Sequence, residues 1–196
     1  MIPIFDLDDT LYPERTFVES GFRAVACELE DVFGWPLSES LQHMLATLDS
    51  EGRGAVFNRL LEDRGYLSVS LVRKCVHTYR YHRPEIQLAP EAERLLDNLQ
   101  TRPYLVTDGH KVVQKRKVEA LGIASRFSHI YITHRYGIRN AKPSTYCFDL
   151  IRRRSGSDWR DMFYVGDNPA KDFVNLNPLG VHTIRVLTGE HASEEA

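Results

Sequence analysis

Along the first part of the chain, the apolar positions predict one short strand followed by a run of helices. Residues 2–7 are mostly apolar and lead directly into acidic residues, which is typical of a buried strand that ends in a turn. From residue 14 onward, apolar side chains recur every three or four positions, first at Val18, Phe22, Val25, Leu29 and Val32. This spacing predicts an amphipathic helix that ends near residues 34–36.

The remainder of the segment 14–83 shows three further helical stretches and no pattern typical of a strand. Ser38 has the position of an N-cap for the second helix. A loop with two glycines, residues 52–54, precedes the third helix, which is marked by Val56, Leu60 and Leu61. The fourth helix begins at Ser68 or Ser70, since either hydroxyl can cap it.

Beyond residue 84 the pattern changes to strands that alternate with helices. Strands are predicted at 104–106, 130–132, 162–165 and 182–186, and helices at 91–99, 112–121, 144–153 and 170–176. Such alternation predicts a parallel sheet that is covered by helices on both faces. We therefore expect an α/β fold, a doubly wound parallel sheet with a helical bundle inserted after the first strand.

Length and composition fit a core domain that carries a smaller insertion. The chain has 196 residues, of which 42% are hydrophobic and 27% charged, as in ordinary globular proteins. We assign residues 1–13 and 84–196 to the core domain and residues 14–83 to the insertion, and we expect residues 190–196 to form a loose tail.

The charge and the cysteines exclude several classes of partner and site. A formal net charge of −2 gives no overall attraction to nucleic acid or to an anionic membrane. The three cysteines are far apart, so neither a disulfide framework nor a thiolate zinc site is indicated. No apolar run approaches the length of a membrane span, roughly 18 residues, and the N-terminal stretch is too short for a signal peptide. We expect a cytoplasmic protein whose partner is a small molecule, and leave the oligomeric state open.

Polar clusters follow the predicted strands at the end where parallel sheets bind ligands. The clusters comprise Asp6, Asp8, Asp9 and Thr10; Thr107, Asp108 and Gly109; Lys142 and Pro143; and Asp167, Asn168 and Asp172. Carboxylates so close together repel one another unless a cation neutralises them. Hard oxygen ligands of this kind suit Mg²⁺, so the sequence predicts a magnesium site.

The order and spacing of these clusters resemble the four motifs of the haloacid dehalogenase superfamily. Residues 6–10 resemble its first motif, DxDxT, and residues 107–109, 142–143 and 166–172 resemble the second, third and fourth. The helical insertion resembles the C1 cap of that superfamily, which closes over the active site. The resemblance implies a phosphatase that forms an aspartyl-phosphate intermediate with the help of Mg²⁺.

Three catalytic roles follow from this resemblance and from the needs of phosphoryl transfer. Asp6 is expected to attack phosphorus as the nucleophile. Asp8 is expected to protonate the leaving oxygen and then to deprotonate the hydrolytic water. Lys142 supplies a fixed positive charge to the transition state, and Pro143 suits the first turn of the following helix.

The resemblance also assigns binding and supporting residues. Phosphate is expected to contact Lys142, the Thr107 hydroxyl and the backbone amides of Asp108 and Gly109; Arg53, on the glycine-flanked loop, either reaches the substrate or is a solvated loop charge. The expected magnesium ligands are Asp6, the Asp8 backbone carbonyl and Asp167. We expect Thr10 to brace its own loop and Asp172 to orient Lys142 or a metal-bound water.

One cluster of charges is expected to have no catalytic role. The basic run that follows the second motif contains Lys111, Lys115, Arg116 and Lys117. Its spacing along the predicted helix suggests a solvated face, and the chemistry described above already has a cation in Lys142.

The most direct hypothesis is a phosphatase that acts on a sugar phosphate, an acyl sugar phosphate or a nucleotide. A mutase of the β-phosphoglucomutase kind would carry the same four motifs, and differs in that a second sugar hydroxyl accepts the phosphoryl group. A dehalogenase is disfavoured because dehalogenases lack an acid/base residue at the position of Asp8. A non-catalytic interaction domain is the alternative from another class, although every motif position is filled here.

Overall fold

The computed structural model describes residues 1–194 and contains one five-stranded sheet. Its strands are β1 (Ile2–Phe5), β2 (Tyr104–Thr107), β3 (His129–Ile132), β4 (Met162–Gly166) and β5 (His182–Arg185). All neighbouring strands are parallel, and the order across the sheet is β3-β2-β1-β4-β5. The central position of β1 explains its apolar sequence, because a strand with a neighbour on each side is sheltered from water.

The chain divides into two compact units, residues 1–15 with 86–196 and residues 16–85. The first unit contains the sheet and the helices α5 (Pro90–Asn98), α6 (Lys111–Ala120) and α7 (Tyr146–Ser155). Buried side chains from the strands and from α7 form its core, among them Ile4, Val106, Phe148, Ile151 and Tyr164. The predicted doubly wound α/β fold is confirmed.

The second unit is helical throughout, as the three-to-four spacing predicts. It contains all but the first two residues of α1 (Glu14–Phe33), together with α2 (Leu37–Glu51), α3 (Val56–Asp63) and α4 (Val69–Tyr81). Its core is built from the residues Phe22, Val25, Leu29, Met44, Leu60 and Leu61. The assignment of this region as a separate cap domain, with boundaries at residues 14 and 83, stays a prediction.

The two predicted helix caps in this unit have different outcomes. Ser68 is the N-cap of α4, and its hydroxyl accepts a hydrogen bond from the Leu71 backbone N–H at 3.3 Å. The prediction for Ser38 is wrong, because α2 begins at Leu37 with Pro36 in the cap position. Proline is well suited to a helix start, since it has no N–H to leave unpaired.

Near the C-terminus two predictions are wrong. Residues 170–176 form successive turns that lead into a 3₁₀ helix, Asn177–Leu179, rather than an α-helix. Here the Asp172 side chain accepts the Asn168 backbone N–H at 2.9 Å, and Pro178, which lies within the 3₁₀ helix, has no N–H to donate in an α-helix that would continue from residue 176. The start of the expected loose tail is instead ordered, with a 3₁₀ helix at Gly189–His191 that contacts Asn168. Residues 195–196 of that predicted tail lie outside the described residues.

None of the helices within residues 1–194 combines the length and the apolar character that crossing a bilayer requires.

We predict that Leu60→Ala destabilises the second unit by about 2–5 kcal/mol, because the side chain is fully buried and its removal leaves a cavity. Urea unfolding of the variant measures this loss. Leu67→Ala is the matched control, since Leu67 lies in the same unit with 49% of its surface exposed. Equal stability of Leu60→Ala and the wild type would contradict this packing.

Candidate active site

Asp6 is placed by the central strand of the sheet. It follows β1 directly, and its backbone N–H donates to the Val165 carbonyl of β4 at 2.9 Å. The side chain is buried, with 6% of the residue exposed. Because β1 pairs with β2 and β4 in parallel, residues that follow these three strands meet at one edge of the sheet.

Lys142 brings its charge to this edge from the segment between β3 and α7. Its Nζ lies 2.8 Å from Asp6 Oδ1 and 2.6 Å from Asp172 Oδ1, and donates to the Tyr164 hydroxyl at 3.0 Å. The three contacts match the three hydrogens of an ammonium group. Burial disfavours the charge on Lys142, but Asp6, Tyr164 and Asp172 outweigh burial and raise its pKa.

Asp172 has both carboxylate oxygens engaged by the protein. Oδ1 accepts from Lys142 and from the Tyr164 hydroxyl at 2.9 Å, and Oδ2 accepts from the Asn168 backbone N–H. Gly166 leaves room for this carboxylate, because a Cβ at that position would lie 2.5 Å from Oδ2. The expected role of Asp172 in orienting Lys142 stays a prediction and now rests on these contacts.

Three buried carboxylates offer a site for a cation. Oxygen atoms of Asp6, Asp167 and Asp172 all lie within 4.8 Å of one another. Burial, together with the charges of Asp172 and Asp8, raises the pKa of Asp6 although Lys142 opposes the shift. Burial and the neighbouring Asp172 and Asp9 likewise raise the pKa of Asp167 to about 6.

These donors fit Mg²⁺. The ion prefers hard oxygen ligands and is usually held by one or two carboxylates together with waters and substrate phosphate. Since both oxygens of Asp172 are engaged, Asp6 and Asp167 are the carboxylates that remain for a cation. The Thr10 hydroxyl donates to Asp167 Oδ1 at 3.4 Å, and the expected role of Thr10 in bracing its own loop stays a prediction.

The Asp8 carboxylate is held apart from that cluster. Its Oδ1 accepts from the Tyr12 hydroxyl at 2.6 Å and from Lys117 Nζ at 2.7 Å, while Oδ2 accepts from Gln114 Nε2 at 2.7 Å. The prediction that Lys117 belongs to a solvated face is therefore wrong. Lys117 is buried, whereas Lys115 of the same helix is exposed and pairs with Glu119.

The second motif forms a loop closed by side chains. Gln114 Nε2 donates to Thr107 Oγ1 and to the Asp108 carbonyl, each at 2.6 Å. Gly109 has φ +129°, a conformation that favours glycine, and a Cβ there would lie 3.3 Å from Gln114 Cδ. The loop thus keeps the Asp108 and Gly109 backbone close to the helix that follows.

The side chain of Asp108 makes hydrogen bonds that the sequence did not indicate. Its Oδ1 accepts from the Thr133 hydroxyl at 2.6 Å, and both oxygens lie 3.1 Å from the Lys142 backbone N–H. It therefore connects the second motif with the third. Pro143 lies in a turn after a cis peptide bond, before α7 begins at Tyr146, so its predicted place in the first helical turn is wrong.

A segment near the C-terminus packs against the first motif. The Thr188 hydroxyl donates to the Asp9 carbonyl, and the Glu190 N–H contacts Asp9 Oδ2 at 3.4 Å. Gly189 between them has φ +68°, and a Cβ there would overlap the Asp9 side chain. His191 Nε2 lies 2.7 Å from Asn168 Nδ2, beside Asp167.

Arg53 is the one predicted site residue outside the first unit. It lies exposed on the loop between α2 and α3. Its expected contact with substrate stays a prediction.

The sequence contains a signal for the missed residues on α6. Gln114, Lys117 and Val118 are spaced i, i+3 and i+4, so they share one helix face, and these three are its buried residues. Val118 marks that face as inward. Two polar side chains beside it, directly after the second motif, therefore point to a functional contact.

Comparison with known proteins decides the family. A family model described as haloacid dehalogenase-like hydrolase matches residues 4–173. The chain belongs to the haloacid dehalogenase-like hydrolases. The resemblance based on the four motifs is thereby confirmed, as is the prediction that the chain is an enzyme.

Relatives within this family are phosphatases and dehalogenases. The chain is 27% identical to glyceraldehyde 3-phosphate phosphatase of Methanocaldococcus jannaschii, over 98% of this chain and 87% of the relative. It is also 27% identical to phosphoserine phosphatase of Thermus thermophilus, over 95% and 88%. The crystal structure of a 2-haloacid dehalogenase from Pseudomonas syringae superposes with a TM-score of 0.62 at 25% identity, over 94% and 86%.

We predict that Asp167→Asn stabilises the protein in EDTA, and by more at pH 8 than at pH 5. The raised pKa, about 6 against 3.8, means that ionising Asp167 costs folding free energy. This cost is absent at pH well below 3.8, grows as the pH rises to about 6, and is complete above it. Two pKa units correspond to about 3 kcal/mol.

Urea unfolding of both proteins at the two pH values measures this difference. Added Mg²⁺ should stabilise the wild type more than the variant, because it binds the native carboxylate. An Asp167→Asn protein that is less stable than the wild type in EDTA at pH 8 would contradict the raised pKa of Asp167.

Proposed function

We propose that the protein is a Mg²⁺-dependent phosphatase that hydrolyses a small phosphomonoester through an aspartyl phosphate on Asp6. The observation that carries this proposal is the contact of the Lys142 ammonium with Asp6 at 2.8 Å and Asp172 at 2.6 Å. A buried cation beside a buried carboxylate provides a nucleophile and a charge for the transferring phosphoryl group in one place.

In the first step, Asp6 attacks phosphorus. Asp6 Oδ1 is held by Lys142, whereas Oδ2 accepts no hydrogen bond from any of residues 1–194. A new bond forms between the Asp6 carboxylate and phosphorus, and the bond from phosphorus to the substrate oxygen breaks. Asp8 gives a proton to that oxygen, so the product leaves as an alcohol.

In the second step, water releases the phosphate. Asp8, now ionised, takes a proton from the attacking water, whose oxygen bonds to phosphorus while the bond to Asp6 breaks. The enzyme returns to its first state with Asp8 protonated and Asp6 free. Splitting one difficult displacement into two in this way is the usual benefit of a covalent intermediate.

Binding of the phosphoryl group rests on the loop of the second motif and on the acidic cluster. The Thr107 hydroxyl and the Asp108 and Gly109 amides are the proposed donors to phosphate oxygens. Mg²⁺, when bound by Asp6, the Asp8 carbonyl and Asp167, would neutralise negative charge at the phosphate. Lys142, which lies beside Asp172, would add a second positive charge near the phosphoryl group.

The relatives support a small substrate. Glyceraldehyde 3-phosphate and phosphoserine, named for two of them, are three-carbon phosphomonoesters of primary alcohols. We propose a small phosphomonoester of an alcohol as the substrate, a broader class that also includes sugar phosphates and nucleotides, and retain Arg53 as a residue of the insertion that contacts it.

We predict that Asp6→Asn lowers phosphate release from p-nitrophenyl phosphate by at least a thousandfold, because an amide cannot act as the nucleophile. EDTA should abolish the activity and Mg²⁺ restore it. Colorimetric measurement of phosphate with purified protein tests both statements. Asp31→Asn, at an exposed aspartate of α1, is the matched control and should retain full activity.

Full turnover by Asp6→Asn, or undiminished turnover in EDTA, would exclude the mechanism. A mutase is distinguished by phosphorus NMR of the reaction with a sugar phosphate. Inorganic phosphate as the product supports the phosphatase, and an isomeric sugar phosphate supports the mutase.

A further inference from the structure

Lys117 is a buried charge that the roles described above leave unused. It belongs to α6, and 2% of the residue is exposed. Its Nζ donates to Asp8 Oδ1 at 2.7 Å and to Glu14 Oε1 at 3.0 Å. Burial disfavours its charge, but the two carboxylates outweigh burial and raise its pKa. Lysine is rarely buried without such partners, so the two carboxylates account for its burial.

Lys117 is one of three donors to the Asp8 side chain. Lys117 and the Tyr12 hydroxyl donate to one oxygen, and Gln114 donates to the other, all within 2.7 Å. Three donors from two segments of the chain fix the position and the plane of the carboxylate. The buried group of Asp6, Asp167 and Asp172 does not include Asp8, so these donors hold Asp8 away from the cation site.

Tyr12 can maintain this position in both protonation states. Its hydroxyl donates to ionised Asp8 and can accept a hydrogen bond from protonated Asp8, because a phenol is both donor and acceptor. Gln114 extends the arrangement to the phosphate-binding loop, since the same amide nitrogen contacts Thr107 and Asp108. Gln114 therefore contacts both the proposed acid and base and the proposed phosphate-binding loop.

We propose that Lys117, with Tyr12 and Gln114, positions Asp8 for proton transfer to the leaving oxygen of the substrate. Lys117 is a positioning residue, which acts through Asp8. The proposal rests on the proposed function, in which Asp8 is the acid and base. Glu14 is the second carboxylate that accepts a hydrogen bond from the buried Lys117 ammonium, at 3.0 Å.

The dependence of rate on the leaving group separates positioning from a structural role. Phenyl phosphate and p-nitrophenyl phosphate are of similar size, but p-nitrophenolate is a stable anion that leaves with little help from an acid. The kcat/KM value includes the steps up to breakage of the bond from phosphorus to the leaving oxygen. It therefore reports on the acid role of Asp8 without the later hydrolysis of the intermediate.

We predict that Lys117→Met lowers kcat/KM for phenyl phosphate about tenfold more than for p-nitrophenyl phosphate. This is part of the 10²–10⁴-fold contribution that a general acid makes. Tyr12→Phe, which removes only one hydroxyl, should show the same selectivity at about threefold. Lys115→Met is the matched control on the exposed side of the same helix and should leave both values unchanged.

Lys117→Arg, which keeps the charge, should recover part of the kcat/KM for phenyl phosphate that Lys117→Met loses. Equal losses on the two substrates in both Lys117→Met and Tyr12→Phe would overturn the proposal and leave only a structural role. If circular dichroism shows that Lys117→Met is unfolded, Tyr12→Phe decides: selective loss supports positioning, and its absence overturns it. Inactive wild-type protein, or active Asp6→Asn, would instead contradict the proposed phosphatase function.

Discussion

The buried ammonium of Lys142 is the interaction on which the rest of the site depends. Asp6 follows β1 and Asp172 follows β4, and their carboxylates would repel each other without a cation between them. Lys142 contacts both, and Asp108 in turn holds the Lys142 backbone. The parallel sheet brings the strand ends together, and this charge allows their acidic residues to remain there.

A second buried lysine, Lys117, pairs with the other proposed catalytic aspartate of the first motif, Asp8. Lys142 belongs to the proposed nucleophile Asp6, and Lys117 belongs to the proposed acid and base Asp8. Two aspartates two positions apart therefore have separate cations. In this account the separation gives them different tasks, since one carboxylate faces the phosphoryl group and the other is held by hydrogen-bond donors.

The sheet, the helical insertion and the motif residues could be predicted because each has a local signature. Short apolar runs between helices indicate parallel strands, and residues that follow such strands must meet at one edge. The contacts of Lys117 and of residues 188–191 depend on which distant segments meet, and spacing alone does not show this. For α6, the position of Lys117 beside Val118 indicates a buried face, but it does not show that Asp8 and Glu14 are the partners there.

The turns at residues 170–176 show how a site can override a local pattern. The apolar spacing there suits a helix, but Asp172 is engaged with Lys142 and with the Asn168 backbone. The helix prediction is thus wrong in a segment whose conformation depends on contacts within the candidate site.

The same site lowers the stability of the protein. Burial raises the pKa of Asp167, so its ionised form costs folding free energy in the absence of a cation.

The position of the phosphoryl group on the protein during turnover shows whether Asp6 is the nucleophile. Wild-type protein with Mg²⁺ is mixed with a radiolabelled phosphate ester, quenched in acid and digested, and the labelled peptide is sequenced by mass spectrometry. If Asp6 is the nucleophile, the label lies on the peptide that contains Asp6, and Asp6→Asn carries no label. A label on another residue, or turnover with no labelled protein under conditions that trap acyl phosphates, would contradict it.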